Sequence, residues 1–168
     1  MKNIRLFQPS LGSKELDSVK KVFKKSWIGY GEQVQKFEKE WSKFFGVKHS
    51  IAVNSCTAAL HLSLLCNNFK KGKKVLVPAI TFSATAAAVL YCGLIPVFVD
   101  INKDDLNINL EDLKKKFTKE CVAVMPVHFG GHPCEMDKIM SWANQKNLIV
   151  IEDCAETCGG YFKGKKIG

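Results

Sequence analysis

Three short segments of this chain combine residue types that can hold charge, and each follows an apolar run. In Asn54-Ser55-Cys56-Thr57-Ala58-Ala59-Leu60 the run passes straight into a helix whose first turn is made of small residues. The first amides of a helix have no internal acceptor, and the helix dipole adds partial positive charge there. Such a turn can cradle a phosphate through Cys56, Thr57 and Ala58, or it can be an ordinary Ser or Thr cap. It lacks the glycines and lysine of a nucleoside triphosphate loop.

Ile151-Glu152-Asp153-Cys154-Ala155-Glu156 delivers two acids, then a third, at the end of an apolar run. A carboxylate fixed there can pair with a protonated heterocyclic nitrogen, which keeps the ring an electron sink, or it can ligate a metal. The metal reading needs more ligands. His128 is the imidazole at a neighbouring strand end, and Gly130-Gly131 denies the helix that would present His128 and His132 on one face. No metal is expected. The third segment, Pro78-Ala79-Ile80-Thr81-Phe82, ends a strand on an aromatic ring that can stack on a planar ligand or simply join the core.

Positioning these segments requires alternating strands and helices. Apolar spacing predicts a helix over 13–25, with Leu16, Val19, Val22 and Phe23 on one face, and a second helix ending at Gly46. Between them Trp27-Ile28-Gly29-Tyr30-Gly31 reads as a loop. Strands are then expected at 50–54, 75–77, 96–99, 122–127 and 148–152, and helices at 57–66, 83–91, 110–117 and 135–146. Short, continuously apolar strands alternating with helices predict an α/β fold, a mainly parallel sheet with helices on both faces. Ligands in such sheets gather at the carboxyl ends of the strands. The junctions that matter are therefore 54–58, 78–82, 126–131 and 152–156.

Composition narrows the class. Of 168 residues, 46% are hydrophobic and 24% charged, values of an ordinary globular chain rather than a disordered one. The stretch from Val75 to Val99 has no charge and is long enough to span a bilayer. Pro78, Gly93, Pro96 and the hydroxyls of Thr81, Ser83 and Thr85 instead divide it into strand, helix and strand, so no membrane partner is expected. The polar start, Met1 to Leu6, does not read as a secretory leader. A net charge of +9 invites nucleic acid, but of the 25 basic residues one, Arg5, is arginine and the lysines are scattered; no nucleic-acid partner is expected. Seven cysteines form neither a regular disulfide framework nor a complete zinc set, which suits a reduced, cytoplasmic protein.

Taken together, these blocks resemble the DegT/DnrJ/StrS-type sugar aminotransferases, pyridoxal phosphate (PLP) enzymes of fold type I. The resemblance is carried by Ile28-Gly29-Tyr30-Gly31 with Val34-Gln35-Lys36-Phe37-Glu38, by Asn54 to Leu60, and by Val77 to Thr85. It continues through Pro96 to Ile101, Pro126 to Gly131, Ile151 to Glu156 and Tyr161 to Gly168. It implies that amides around Cys56, Thr57 and Ala58 hold the cofactor phosphate and that Phe82 stacks on the pyridine ring. Asp153 would pair with the ring nitrogen and Glu156 would lie beside the cofactor. Trp27, Ile28 and Gly29 would help line the substrate site. Cys56 stands where the family often has Gly, and Glu156 where Gln or His is commoner.

The resemblance further implies an N-terminal helical segment over 1–48 and an incomplete PLP-binding large domain over 49–168. The Schiff-base lysine of the family would lie beyond Gly168, as would the last strands and the small C-terminal domain. No catalytic residue is therefore assigned within the chain. The implied substrates are a nucleotide-linked keto-sugar and glutamate, serving surface polysaccharides or glycosylated metabolites, in an enzyme that is a homodimer when intact. A PLP-dependent sugar dehydratase of the same family and a non-catalytic remnant or assembly partner are the alternatives.

Overall fold

The computed structural model describes residues 8–168, so the polar start and Arg5 lie outside the described residues. The chain divides into two compact units, one ending at Ala52 and the other Val53–Gly168.

In the first unit, helix α1 (Ser13–Lys24) begins where the Gly12 amide donates to Glu15 Oε2 at 2.7 Å. Helix α2 (Glu32–Phe45) ends because Gly46 turns left-handed at φ 71°, a conformation that glycine adopts without a Cβ penalty. Phe37, Trp41 and Phe45, spaced four apart, stack along α2 with centroids 5.3 and 4.8 Å apart. Glu38 on the same helix accepts the Ala52 amide at 2.8 Å and the Tyr30 hydroxyl at 2.7 Å. Those two donors, the amide first, pull its carboxyl below the usual range.

The second unit contains α3 (Cys56–Leu65), β1 (Lys74–Pro78), α4 (Ser83–Tyr91), β2 (Ile95–Val99), α5 (Leu110–Lys116), β3 (Cys121–Val124), α6 (Met136–Gln145) and β4 (Ile149–Val150). The strands form one parallel sheet in the order β2-β1-β3-β4. Alternation of side chains sorts its two faces. Val75, Val77, Ala123 and Met125 pack with Leu60 and Leu64 of α3 and Ala88 and Val89 of α4. Leu76, Val99 and Val124 pack with Leu113 of α5 and Ile139, Trp142 and Ala143 of α6. Helices thus cover both faces, as the apolar strands require. Truncating fully buried Leu76 to Ala would remove about 2–5 kcal/mol of stability.

The uncharged stretch from Val75 to Val99 is therefore β1, α4 and β2. Among the described residues no helix is long and apolar enough to cross a membrane. The expected strand at 50–54 is not formed: among the described residues, these join no ladder. The expected strands at 122–127 and 148–152 are shorter as well, and beyond the ladder they meet through the Ile151 amide, which donates to Val124 O at 3.0 Å, and an isolated bridge between Val127 and Asp153. A hairpin, β5 (Tyr161–Phe162) with β6 (Lys165–Lys166), follows. Its two-residue turn takes Lys163 and Gly164 to φ 48° and 78°, the sense that suits the twist of paired strands.

Candidate functional site

Strand order determines where a ligand can sit. The chain leaves β1 for β2 on one side and returns to place β3 on the other, so β1 and β3 flank a switch point with a crevice beyond their carboxyl ends. Thr81 follows β1, His128 follows β3 and Asp153 follows β4. All four junctions singled out in the sequence converge here through Asp153 and its neighbours.

Asp153 is 4% exposed. Its amide donates to Pro126 O at 2.9 Å and its carbonyl accepts the His128 amide at 3.2 Å, which fixes the backbone against the β3 end. Its side chain accepts the Thr85 hydroxyl on Oδ2 at 2.8 Å and the Ala155 amide on Oδ1 at 3.2 Å. The Cys56 thiol lies 3.7 Å from Oδ1 and brings the start of α3 against the carboxylate. Partial burial, then the charge and acceptor oxygen of Asp153, push the Cys56 thiol upward, so it stays protonated beside the acid.

At the start of α3 both readings of the first turn have a place. Ser55 is the cap, its Oγ accepting the Ala58 amide at 3.1 Å, and the Ala59 amide donates to Ser55 O. The Ala58 amide is thus already engaged, which leaves those of Cys56 and Thr57 without an acceptor among the described residues. Phe82 is the N-cap of α4 and is 77% exposed, so it joins no core among the described residues. Its carbonyl accepts the Thr85 amide at 3.1 Å, one bond away from the residue that holds Asp153.

Glu156 turns toward the loop after β3, where Oε2 accepts the Gly130 amide at 2.6 Å. That loop is a single 3-10 turn at Phe129–Gly131, with Gly130 at φ 61° and Gly131 at φ 81°. Buried Asn107 clamps it, accepting the Phe129 amide at 3.1 Å and donating to His132 O at 3.1 Å. Asn107 and Thr85 escaped the sequence reading. Thr85 left a faint signal, a hydroxyl in the first turn of an otherwise Ala-rich helix; Asn107 left none.

His128, Glu152 and Cys154 bring possible ligand atoms within 4.8 Å of one another, a grouping that resembles a metal site. The tautomer argues against one. His128 is completely buried, and its Nδ1 accepts the Cys134 amide at 3.1 Å, so the ring proton is on Nε2 and points at Glu152 Oε2, 3.0 Å away. A metal on Nε2 would need an imidazolate. Burial also pushes the Cys154 thiol up to about 12, so in the metal-free protein it stays a neutral thiol.

In the amino-terminal unit, Trp27, Ile28 and Gly29 line a cleft of about 790 Å³ with Lys21, Lys25 and Val34. Trp27 Nε1 donates to Tyr30 O at 3.0 Å, which folds the loop onto itself.

Two unpaired amides, an exposed ring and a carboxylate fixed on both oxygens can receive a flat, anionic heterocycle that carries a proton on nitrogen. Comparison with known proteins agrees in kind. Residues 9–168 match the model of the DegT/DnrJ/EryC1/StrS aminotransferase family, and the chain belongs to that family. It is 40% identical over 169 residues to a GDP-perosamine synthase of Escherichia coli O157:H7, covering 100% of this chain and 46% of that one. Among solved structures it is similar to an aminotransferase from Psychrobacter cryohalolentis, with a TM-score of 0.92 and 34% identity over 95% of this chain and 41% of the other. It is similar also to an E. coli GDP-4-keto-6-deoxy-D-mannose-3-dehydratase with bound hydrated PLP, with a TM-score of 0.93 and 30% identity over 100% of this chain and 45% of the other. The chain spans less than half the length of these proteins.

Proposed function

We propose that this chain forms the amino-terminal portion of a PLP-dependent aminotransferase that moves an amino group from glutamate to a nucleotide-linked keto-sugar. The observation that carries the reading is Asp153, buried beside the start of α3 and tied through Thr85 to the strand end that bears Phe82. When bound, PLP supplies an electron sink that makes the carbon beside the amino nitrogen acidic. The Cys56 and Thr57 amides hold its phosphate at the positive end of α3. Phe82 stacks on one face of the ring, and Asp153 keeps a proton on the ring nitrogen. Glu156, held by Gly130, borders the ring. Trp27, Ile28 and Gly29 contribute to the substrate site.

In this reading residues 49–168 are part of the cofactor-binding large domain, and the lysine that carries the cofactor covalently comes from outside the chain. Homodimerisation of the intact enzyme accompanies it. Seven free thiols support a reducing, cytoplasmic setting. The similarity to a dehydratase supports a second reading, loss of water from the same class of sugar.

Titration with PLP tests the site. Cys56→Pro removes one phosphate-facing amide at a position where a helix accepts proline, and Asp153→Ala removes the ring partner. Each variant is expected to bind at least tenfold more weakly than the parent. Equal binding by parent and both variants, or no binding by the parent, overturns the reading. With the family's carboxyl-terminal portion joined to this chain, glutamate-dependent amination of a GDP-linked keto-sugar separates the transferase from the dehydratase, whose product lacks a hydroxyl and carries no new amino group.

A further inference from the structure

We propose that Thr85, backed by Thr81, is the positioning residue that aims the Asp153 carboxylate at the ring nitrogen of the cofactor. This rests on the PLP reading above and adds to it the device that sets the carboxylate's direction.

The Thr85 hydroxyl has one proton, and it goes to Asp153 Oδ2 at 2.8 Å. Its 2.7 Å contact with Thr81 Oγ1 therefore has Thr81 as donor. Protons point one way along the row, from Thr81 to Thr85 to Asp153, and bonds aligned in this way strengthen one another. Thr85 is fully buried in the first turn of α4, among alanines, where leaving a hydroxyl unsatisfied is costly. Both of its bonds are made. The other carboxylate oxygen is occupied by the Ala155 amide and the Cys56 thiol. Rotation of the carboxylate thus breaks bonds on both oxygens at once, while the backbone of Asp153 is held by Pro126 and His128. What remains is one lone-pair direction for an N–H donor.

The test compares PLP with its carbocyclic analogue, in which C–H replaces the ring nitrogen, for the full chain and for Thr85→Val and Thr85→Ser. Valine keeps the shape and removes the donor; serine keeps the donor. The parent and Thr85→Ser are expected to prefer PLP, and Thr85→Val to lose roughly tenfold of that preference. A general packing defect would weaken both ligands alike and leave the preference intact, which would overturn the proposal, as would loss of preference in Thr85→Ser. A second measurement needs no cofactor: three-bond couplings of the Asp153 β-protons should report one χ1 rotamer in the parent and Thr85→Ser and averaging in Thr85→Val. A single rotamer in Thr85→Val overturns the positioning role. Failure of the parent to bind PLP removes the cofactor reading alone, and the couplings still decide the role of Thr85.

Discussion

The imidazole of His128 takes its orientation from Cys134, whose amide donates to Nδ1 at 3.1 Å inside the protein. This contact makes the ring a donor toward Glu152 and removes it from the metal-ligand role its position suggests.

A long-range proton–nitrogen spectrum should show the Nε2–H tautomer of His128. Cobalt(II) added to the chain should give no thiolate charge-transfer band from a His128–Glu152–Cys154 centre. His128→Ala leaves the buried Cys134 amide unpaired and opens a cavity, and is expected to lower unfolding stability by at least about 2 kcal/mol. A cobalt–thiolate band, or an unfolding curve like the parent's, would contradict this assignment.

The two glycines after His128 should differ in tolerance. Both have positive φ, but a Cβ on Gly131 would meet the Glu156 carbonyl oxygen at 3.2 Å, whereas one on Gly130 meets nothing within 4 Å. Gly130→Ala should cost about 1 kcal/mol from backbone conformation alone, and Gly131→Ala clearly more. Urea unfolding of the two variants checks the order; equal losses would show that the Glu156 backbone yields freely.

How far the sequence reveals this site depends on how local each signal is. Helices α1 to α6 are legible because their apolar spacing or capping residues lie within a single turn, as with Ser55 before α3 or Gly46 after α2. The four strand-end junctions are legible for the same reason. The segment 50–54 misleads, since a strand is made by its neighbours and apolar character alone does not supply one. Partners distant in sequence are invisible. Nothing local announces that Thr85 reaches Asp153, that Asn107 clamps the turn at Phe129, or that Ser55 claims the Ala58 amide.

Gly31 should matter for its lack of a side chain. Its backbone is extended at φ −146°, yet a Cβ there would lie 2.8 Å from Trp27 Cδ1. Gly31→Ala is expected to displace the indole, break its bond to Tyr30 O and shift the tryptophan emission, with little change in helix content by circular dichroism. Unchanged emission, compared with a Trp27→Phe control that identifies this ring's share, would refute the contact.

Alkaline pH should weaken the fold through two buried thiols. Burial pushes Cys134 and Cys154 up to about 12, against about 8.5 in an unfolded chain. The stability they contribute is complete below about pH 8.5 and is lost as pH rises through the folded values, at about 1.4 kcal/mol per pH unit for each group. Cys134→Ala should make the decline of unfolding free energy between pH 9 and 11 shallower by roughly that slope. An unchanged slope would mean that the thiol is not shielded from water.

The order of strands has a consequence for how the chain emerges from the ribosome. Strand β1 can pair with β2 as soon as residues 95–99 appear, but its other edge waits for Cys121–Val124, more than forty residues after β1 itself. Until then the apolar edge from Val75 to Pro78 lies open on one side, and it is this interval of translation in which a chaperone has the most to shield.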